Sequence, residues 1–144
     1  MKYFIIGLTY LCIITSVKAH ENMTLKISDF TVEINNKEIA VDKIIDDIIV
    51  DLEPKTIIIF QNDELTYQVE FLFKRSGNRI KVKRRSTVLM PDGGAISGNS
   101  KKEVQFMSSS APGNFEFPVA ENIVLDKNTY STFFISYRVQ VKYS

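Results

Sequence analysis

Apolar and polar residues take turns along the C-terminal end of the chain. Ile135, Tyr137, Val139, Val141 and Tyr143 share one side of an extended backbone, and Ser136, Arg138, Gln140 and Lys142 share the other. Side chains of a strand point to alternate faces, so this period of two predicts a strand with one buried and one solvated face. Thr66 to Lys74 repeats the pattern, with Tyr67, Val69, Phe71 and Phe73 in phase. Arg79 to Leu89 follows with Ile80, Val82 and Val88. Ser76-Gly77-Asn78 between them has hairpin-turn chemistry, so the two segments are expected to pair antiparallel. Near the start, Leu25 and Ile27 are out of phase with Phe30, Val32 and Ile34, which predicts a strand with a bulge near Asp29. Asn35-Asn36 then reads as a turn.

One segment changes period. Val41, Ile44, Ile45, Ile48, Ile49 and Leu52 recur at helical spacing, with Asp42, Lys43, Asp46, Asp47 and Asp51 opposite. That spacing fits a short amphipathic helix over 41–52. Ile and Val are stiff at χ1 and favour strands, so a strand pair around Asp46-Asp47 is the alternative. Pro54 ends either element. Thr56 to Gln61 is an apolar run of strand length, turned by Asn62-Asp63. Pro91-Asp92-Gly93-Gly94 is a strong turn signal. Val104 with Phe106, Phe115 with Phe117, and Asn122 to Leu125 mark short strands, Pro118 closing the second; Ser108 to Asn114 is a loop by composition.

Many short strands with frequent turns predict a mainly β fold, a single antiparallel β-sandwich of immunoglobulin-like type. A closed outer-membrane barrel would call for uniform strands of about ten residues with apolar outward faces, and most of the alternating stretches here are shorter.

The N-terminus carries a different message. Lys2 precedes the apolar run Phe4 to Ile14, and Val17-Lys18-Ala19 supplies a cleavage-site pattern. This is the layout of a secretory signal peptide, over residues 1–19, leaving 20–144 as one domain. A membrane-spanning helix needs roughly 20 apolar residues, so no transmembrane segment is expected after cleavage. Cys12, the single cysteine, lies inside the apolar run, which excludes disulfides from the mature chain and fits a bacterial periplasm.

Charge is balanced overall but not along the chain. Without Lys2 and Lys18, 16 basic residues face 17 acidic ones, which argues against a nucleic-acid binder. Asp29 to Glu64 holds ten acidic residues and three lysines, whereas Lys74 to Arg85 holds seven basic residues and no acid. Those seven, Lys74, Arg75, Arg79, Lys81, Lys83, Arg84 and Arg85, form the candidate interaction surface. They suit an anionic envelope surface or the acidic face of a protein partner or second copy; charge guarding an edge strand is the competing account.

Catalytic chemistry is hard to assemble. His20, the sole histidine, would be the first residue after cleavage; copper chelation there would want a second histidine, and Met23 alone does not make a site. A Ser-His-Asp arrangement lacks its base, and Ser108-Ser109-Ser110 has no lysine in a suggestive relation. Asp42 and Asp46 read as a solvated face, not an acid/base pair. Gly93-Gly94 belongs to a turn, and Asn22-Met23-Thr24 matches a glycosylation sequon that matters only in a eukaryotic secretory route. No cofactor, no metal and no enzymatic activity are expected.

Two partial resemblances bear on role. Ser86 to Phe106, STVLMPDGGAISGNSKKEVQF, resembles the β-domain of outer-membrane secretins, in which a strand enters an Asp-Gly turn and a small-residue strand; the paired glycines after the second strand are missing here. The C-terminal strand with penultimate Tyr143 is similar to that of chaperone–usher pilins, which complete their fold with a partner's strand, though the cysteine pair common in pilins is missing. The expectation is a non-catalytic periplasmic or surface-exposed envelope protein that docks other envelope components, with a structural subunit of a fimbria-like assembly as the alternative.

Overall fold

The computed structural model describes residues 23–50, 53–76, 79–97, 103–107 and 113–143. The expected leader, Cys12, His20 and the sequon's Asn22 lie outside them, as do the loop serines 108–110. Among the described residues ten strands form: β1 Met23–Ile34, β2 Lys37–Ile39, β3 Ile45–Val50, β4 Lys55–Gln61, β5 Thr66–Ser76, β6 Arg79–Leu89, β7 Ala95–Ser97, β8 Glu103–Met107, β9 Gly113–Asp126 and β10 Ser131–Tyr143. There is no helix among the described residues, and so none long and apolar enough to cross a membrane.

The strands make two five-stranded antiparallel sheets. One runs β2-β1-β10-β9, with β3 also on β1 beside β2; the other runs β4-β5-β6-β7, with β8 also on β6. The mainly β sandwich is therefore present. Its strand order is a meander of β4 to β7 facing a sheet closed by the two terminal strands β1 and β10. The chain changes sheet only between β3 and β4 and between β8 and β9, which is not the interleaving that defines an immunoglobulin-like sandwich.

Each sheet turns one apolar face inward. β10 contributes Phe133, Ile135, Tyr137, Val139 and Val141, β5 contributes Tyr67, Val69, Phe71 and Phe73, and all are buried. Tyr67 and Phe60 meet Phe133 across the sheets, with ring centroids 5.5 and 6.0 Å away. The β1 bulge falls where the phase slip placed it. Ser28 pairs with Arg138 and Thr31 with Ser136, so β1 spends one residue more than β10. Asp29 takes the left-handed conformation there, φ 57°, and the extra residue lets Leu25, Ile27, Val32 and Ile34 all face the core. Asn35 and Asn36, at φ 53° and 62°, link Ile34 to its partner Lys37. Two consecutive left-handed residues are the requirement of a type I′ hairpin.

The helical reading of 41–52 is corrected: Ile45–Val50 is strand β3, paired antiparallel with β1. The register slips so that Ile45 opposes Ile27 and Ile48 opposes Leu25. A bulge of this kind turns residues three apart to the same face, which reproduces a helix-like spacing inside a strand. Ile45 and Ile48 pack on the core, while Ile44 and Ile49 are exposed. A second correction concerns Pro118. The separate strands expected either side of it are one strand, β9, 14 residues long. Proline is tolerated because β9 is at a sheet edge, where an amide facing solvent is not missed.

Candidate functional site

The basic run splits between two environments. Register pairs Lys74 with Lys81, Leu72 with Lys83 and Glu70 with Arg85. Lys74, Lys83 and Arg85 are exposed and Lys81 is half-buried, so these four share the outer face of the β5–β6 ribbon. Glu70 opposes Arg85 on that face, and the backbone of Glu103 on β8 lies opposite Lys83. Arg75 and Arg79 stand at the end of the ribbon, opposite Ile80 and Ser76 in the ladder; their side chains lie outside the described set.

Arg84 is the exception, and its place on the interaction surface is corrected. It is only 4% exposed. On β6 the inward phase is Val82, Arg84, Ser86 and Val88, all buried, so alternation alone carries the guanidinium between the sheets. Across from it, the inward phase of β9 is Phe117, Val119, Glu121 and Ile123, and Glu121 is 6% exposed. Arg84 Nη1 lies 3.2 Å from Glu121 Oε2. The Tyr67 hydroxyl of β5 donates to the same oxygen, and Ser86 Oγ donates to Oε1 at 2.8 Å. The Tyr137 hydroxyl of β10 is 3.2 Å from that of Tyr67. Five side chains from four strands and both sheets thus form one polar pin through an otherwise apolar core.

The pin's protonation follows from its setting. Burial, then the nearby Tyr137 and Glu121, push the Tyr67 phenol far above its ordinary range. Burial likewise raises Tyr137, with Arg84 and Tyr67 working against the rise. For Arg84 burial disfavours the charge, but Tyr137, Glu121 and Tyr67 outweigh it and hold the guanidinium above its ordinary value. Both tyrosines are therefore neutral donors and Arg84 is a cation at any physiological pH. Each Glu121 oxygen already accepts at least one hydrogen bond, and the carboxylate is shut off from solvent. The arrangement can hold two sheets together.

The other candidates are placed as follows. Among the described residues no three His, Cys, Asp or Glu side chains gather closely enough to hold a metal ion. Met23, considered beside His20, is buried on β1 and faces the core. Asp42 and Asp46 are exposed. Gly93, at φ 91°, and Gly94 close the β6–β7 turn, where the Met90 amide donates to the Gly94 carbonyl at 2.8 Å. The C-terminal strand β10 lies inside its sheet, flanked by β1 and β9.

Glu121 was not singled out from sequence. Its signal was there: Phe117, Val119, Glu121 and Ile123 are in phase once β9 is read straight through Pro118. Compared with protein-family models, with curated proteins and with solved structures, the chain matches none. Fold and geometry define the class: a two-sheet β-sandwich, pinned by a buried ion pair, with a cationic ribbon outside.

Proposed function

We propose that the protein is an exported, non-catalytic docking module of the cell envelope, and that it binds an acidic protein partner on the outer face of β5–β6. The observation that carries this reading is the cation row itself. Lys74 and Lys81 stand directly opposite each other, and Lys83 and Arg85 extend the row along β6. β6 is an inner strand, paired with β5 on one side and with β7 and β8 on the other. Guarding a free edge therefore does not account for Lys81 and Lys83, which β8 covers. An acidic partner would be steered by this face and bound in a salt-dependent way. The polar pin is sealed, which supports a binding role over a catalytic one.

The test uses Lys83→Glu plus Arg85→Glu, both exposed, and leaves Arg84 alone because its loss would disturb the core. Wild-type and variant protein, matched for thermal unfolding, are used to capture partners from envelope extracts over a salt series. The expectation is a captured acidic protein whose binding falls steeply with salt and is lost in the variant. Equal capture by both proteins would refute it. Loss of binding to vesicles of anionic phospholipid, with no protein captured, would move the role to a lipid surface instead.

A further inference from the structure

Among the described residues the longest sheet edge belongs to β9, which runs 14 residues and pairs there only with β10. The direction of its main-chain groups can be fixed. The Thr132 carbonyl accepts from the Asn35 amide, and the Thr132 amide donates to Asn35 Oδ1, so both groups of Thr132 point towards β1. Such groups alternate sides along a strand. Those of Phe133, Ile135, Tyr137 and Val139 therefore point to β9, where they meet Ile123, Glu121, Val119 and Phe117. The remaining residues of β9, Pro118, Ala120, Asn122 and Val124, direct theirs outwards. Pro118, which has no N–H, sits where β10 does not need one.

Natural edges are usually short or guarded by charge or proline. The other edge positions fit that rule: β2 and β7 have three residues each, β8 five, β3 six and β4 seven. Beyond Pro118, β9 breaks it. Ala120, Asn122 and Val124 are all exposed and uncharged. Glu116 is engaged by Arg138 and Gln140, and Glu121 is consumed by the pin.

We infer that β9 is a self-association edge, pairing antiparallel with β9 of a second copy about a twofold axis at Asn122. Outward-pointing residues must meet outward-pointing residues. A register centred on Asn122 sets Asn122 against its own mate and Ala120 against Val124 of the other copy. Pro118 then falls at the end of the ladder, opposite Asp126. Registers centred nearer Pro118 place the missing donor inside the ladder, and those centred further along shorten it. The chosen register also brings no like charges together. It is isologous, so it closes as a dimer, and it joins two sheets edge to edge without covering the outer face of β5–β6. The inference does not rest on the docking role.

The test uses the full chain carrying Cys12→Ser, so that any thiol is an introduced one. Asn122→Cys places a thiol opposite its own mate, within the roughly 4.4–6.8 Å Cα separation that a disulfide spans. Mild oxidation should link it into a dimer. Two copies of a Val124→Cys thiol would stand about four residues apart along the ladder, roughly 13 Å, and should link no more than Tyr130→Cys at an exposed turn. Sedimentation tests the same register by charge. Ala120→Lys with Val124→Lys should weaken the dimer on the order of tenfold or more, and Ala120→Lys with Val124→Glu should restore it. The inference is overturned if wild type stays monomeric into the hundred-micromolar range, if Asn122→Cys links no better than Tyr130→Cys, or if the two charge variants sediment alike.

Discussion

Replacing Arg84 by Met tests the pin most directly. Arg84 and Glu121 side chains are 3% and 4% exposed and 3.2 Å apart, so at an effective dielectric of 20 their attraction is about 5 kcal/mol. The variant leaves Glu121 charged in an apolar interior. Its escape is to take up a proton, which for an ordinary glutamate costs about 3.7 kcal/mol at pH 7. That sets the expected loss at about 4 kcal/mol, within the range for breaking buried pairs, or a fall in Tm of roughly 15 °C. The sign with pH follows. The lone carboxyl holds its proton more tightly folded than unfolded, so stability is intact below the unfolded pKa of about 4.3 and declines as pH rises above it. The deficit relative to wild type should therefore shrink by about 1.4 kcal/mol for each unit from pH 7 down to about 4.5. Arg84→Met with Glu121→Leu should recover part of the loss, leaving the Ser86 hydroxyl and one of the Tyr67 and Tyr137 hydroxyls without an acceptor, at about 1–2 kcal/mol each. Urea unfolding followed by far-UV circular dichroism and by tyrosine fluorescence measures all of this, since the chain has six tyrosines and no tryptophan. A loss under about 1 kcal/mol, a deficit that ignores pH, or a double variant no better than Arg84→Met would refute the electrostatic account.

The remaining predictions draw on other parts of the fold. Tyr67 and Tyr137 are both raised, so the folded state keeps protons that the unfolded state releases above about pH 10; stability should fall there by up to about 1.4 kcal/mol per pH unit for each tyrosine, and Tyr67→Phe with Tyr137→Phe should flatten the decline in alkaline urea titrations. Asp29→Gly, which relieves a left-handed residue at φ 57° and gives up only an exposed pair with Arg138, should be neutral or stabilising by up to about 1 kcal/mol, whereas Asp29→Val should cost about 1–2 kcal/mol. Asn35→Gly keeps the turn but removes the acceptor of Ser131 Oγ and the Thr132 amide, so chemical denaturation should register a loss of about 1 kcal/mol.

Much of this architecture is legible in alternation, because a half-buried strand writes its two faces into odd and even positions. β5 and β10 show it without interruption, and the phase slip at Asp29 reads directly as a bulge. β3 was ambiguous for the same physical reason: its bulge brings Ile45 and Ile48 to one side, and three-residue spacing also belongs to helices. Pro118 misled in another way. Proline ends a strand only where its nitrogen is needed by a neighbour, and no sequence pattern tells which strand lies at an edge. Arg84 was drawn to the surface by the company of Lys83 and Arg85, although its phase with Val82 and Val88 placed it inside. Its partner Glu121 lies 37 positions further on, and a pairing between sheets has no periodic trace.

The pin and the bulges answer different parts of one problem. Alternation and bulges decide which face of each strand is apolar, but apolar faces alone allow one sheet to slide over the other at little cost, since contacts among Val, Ile and Phe are exchangeable. Glu121 removes that freedom. Its two oxygens accept from Tyr67 and Ser86 on β5 and β6 and meet the charge of Arg84, while Tyr137 closes the set from β10. Sliding by one pleat would leave a buried cation and a buried anion without partners, at several kcal/mol each. The same parity that sends Arg84 inwards turns Lys81, Lys83 and Arg85 outwards. The registration of the core and the orientation of the cation row are thus set by one choice of phase on β6, and inserting a residue between Val82 and Arg84 should destroy both together.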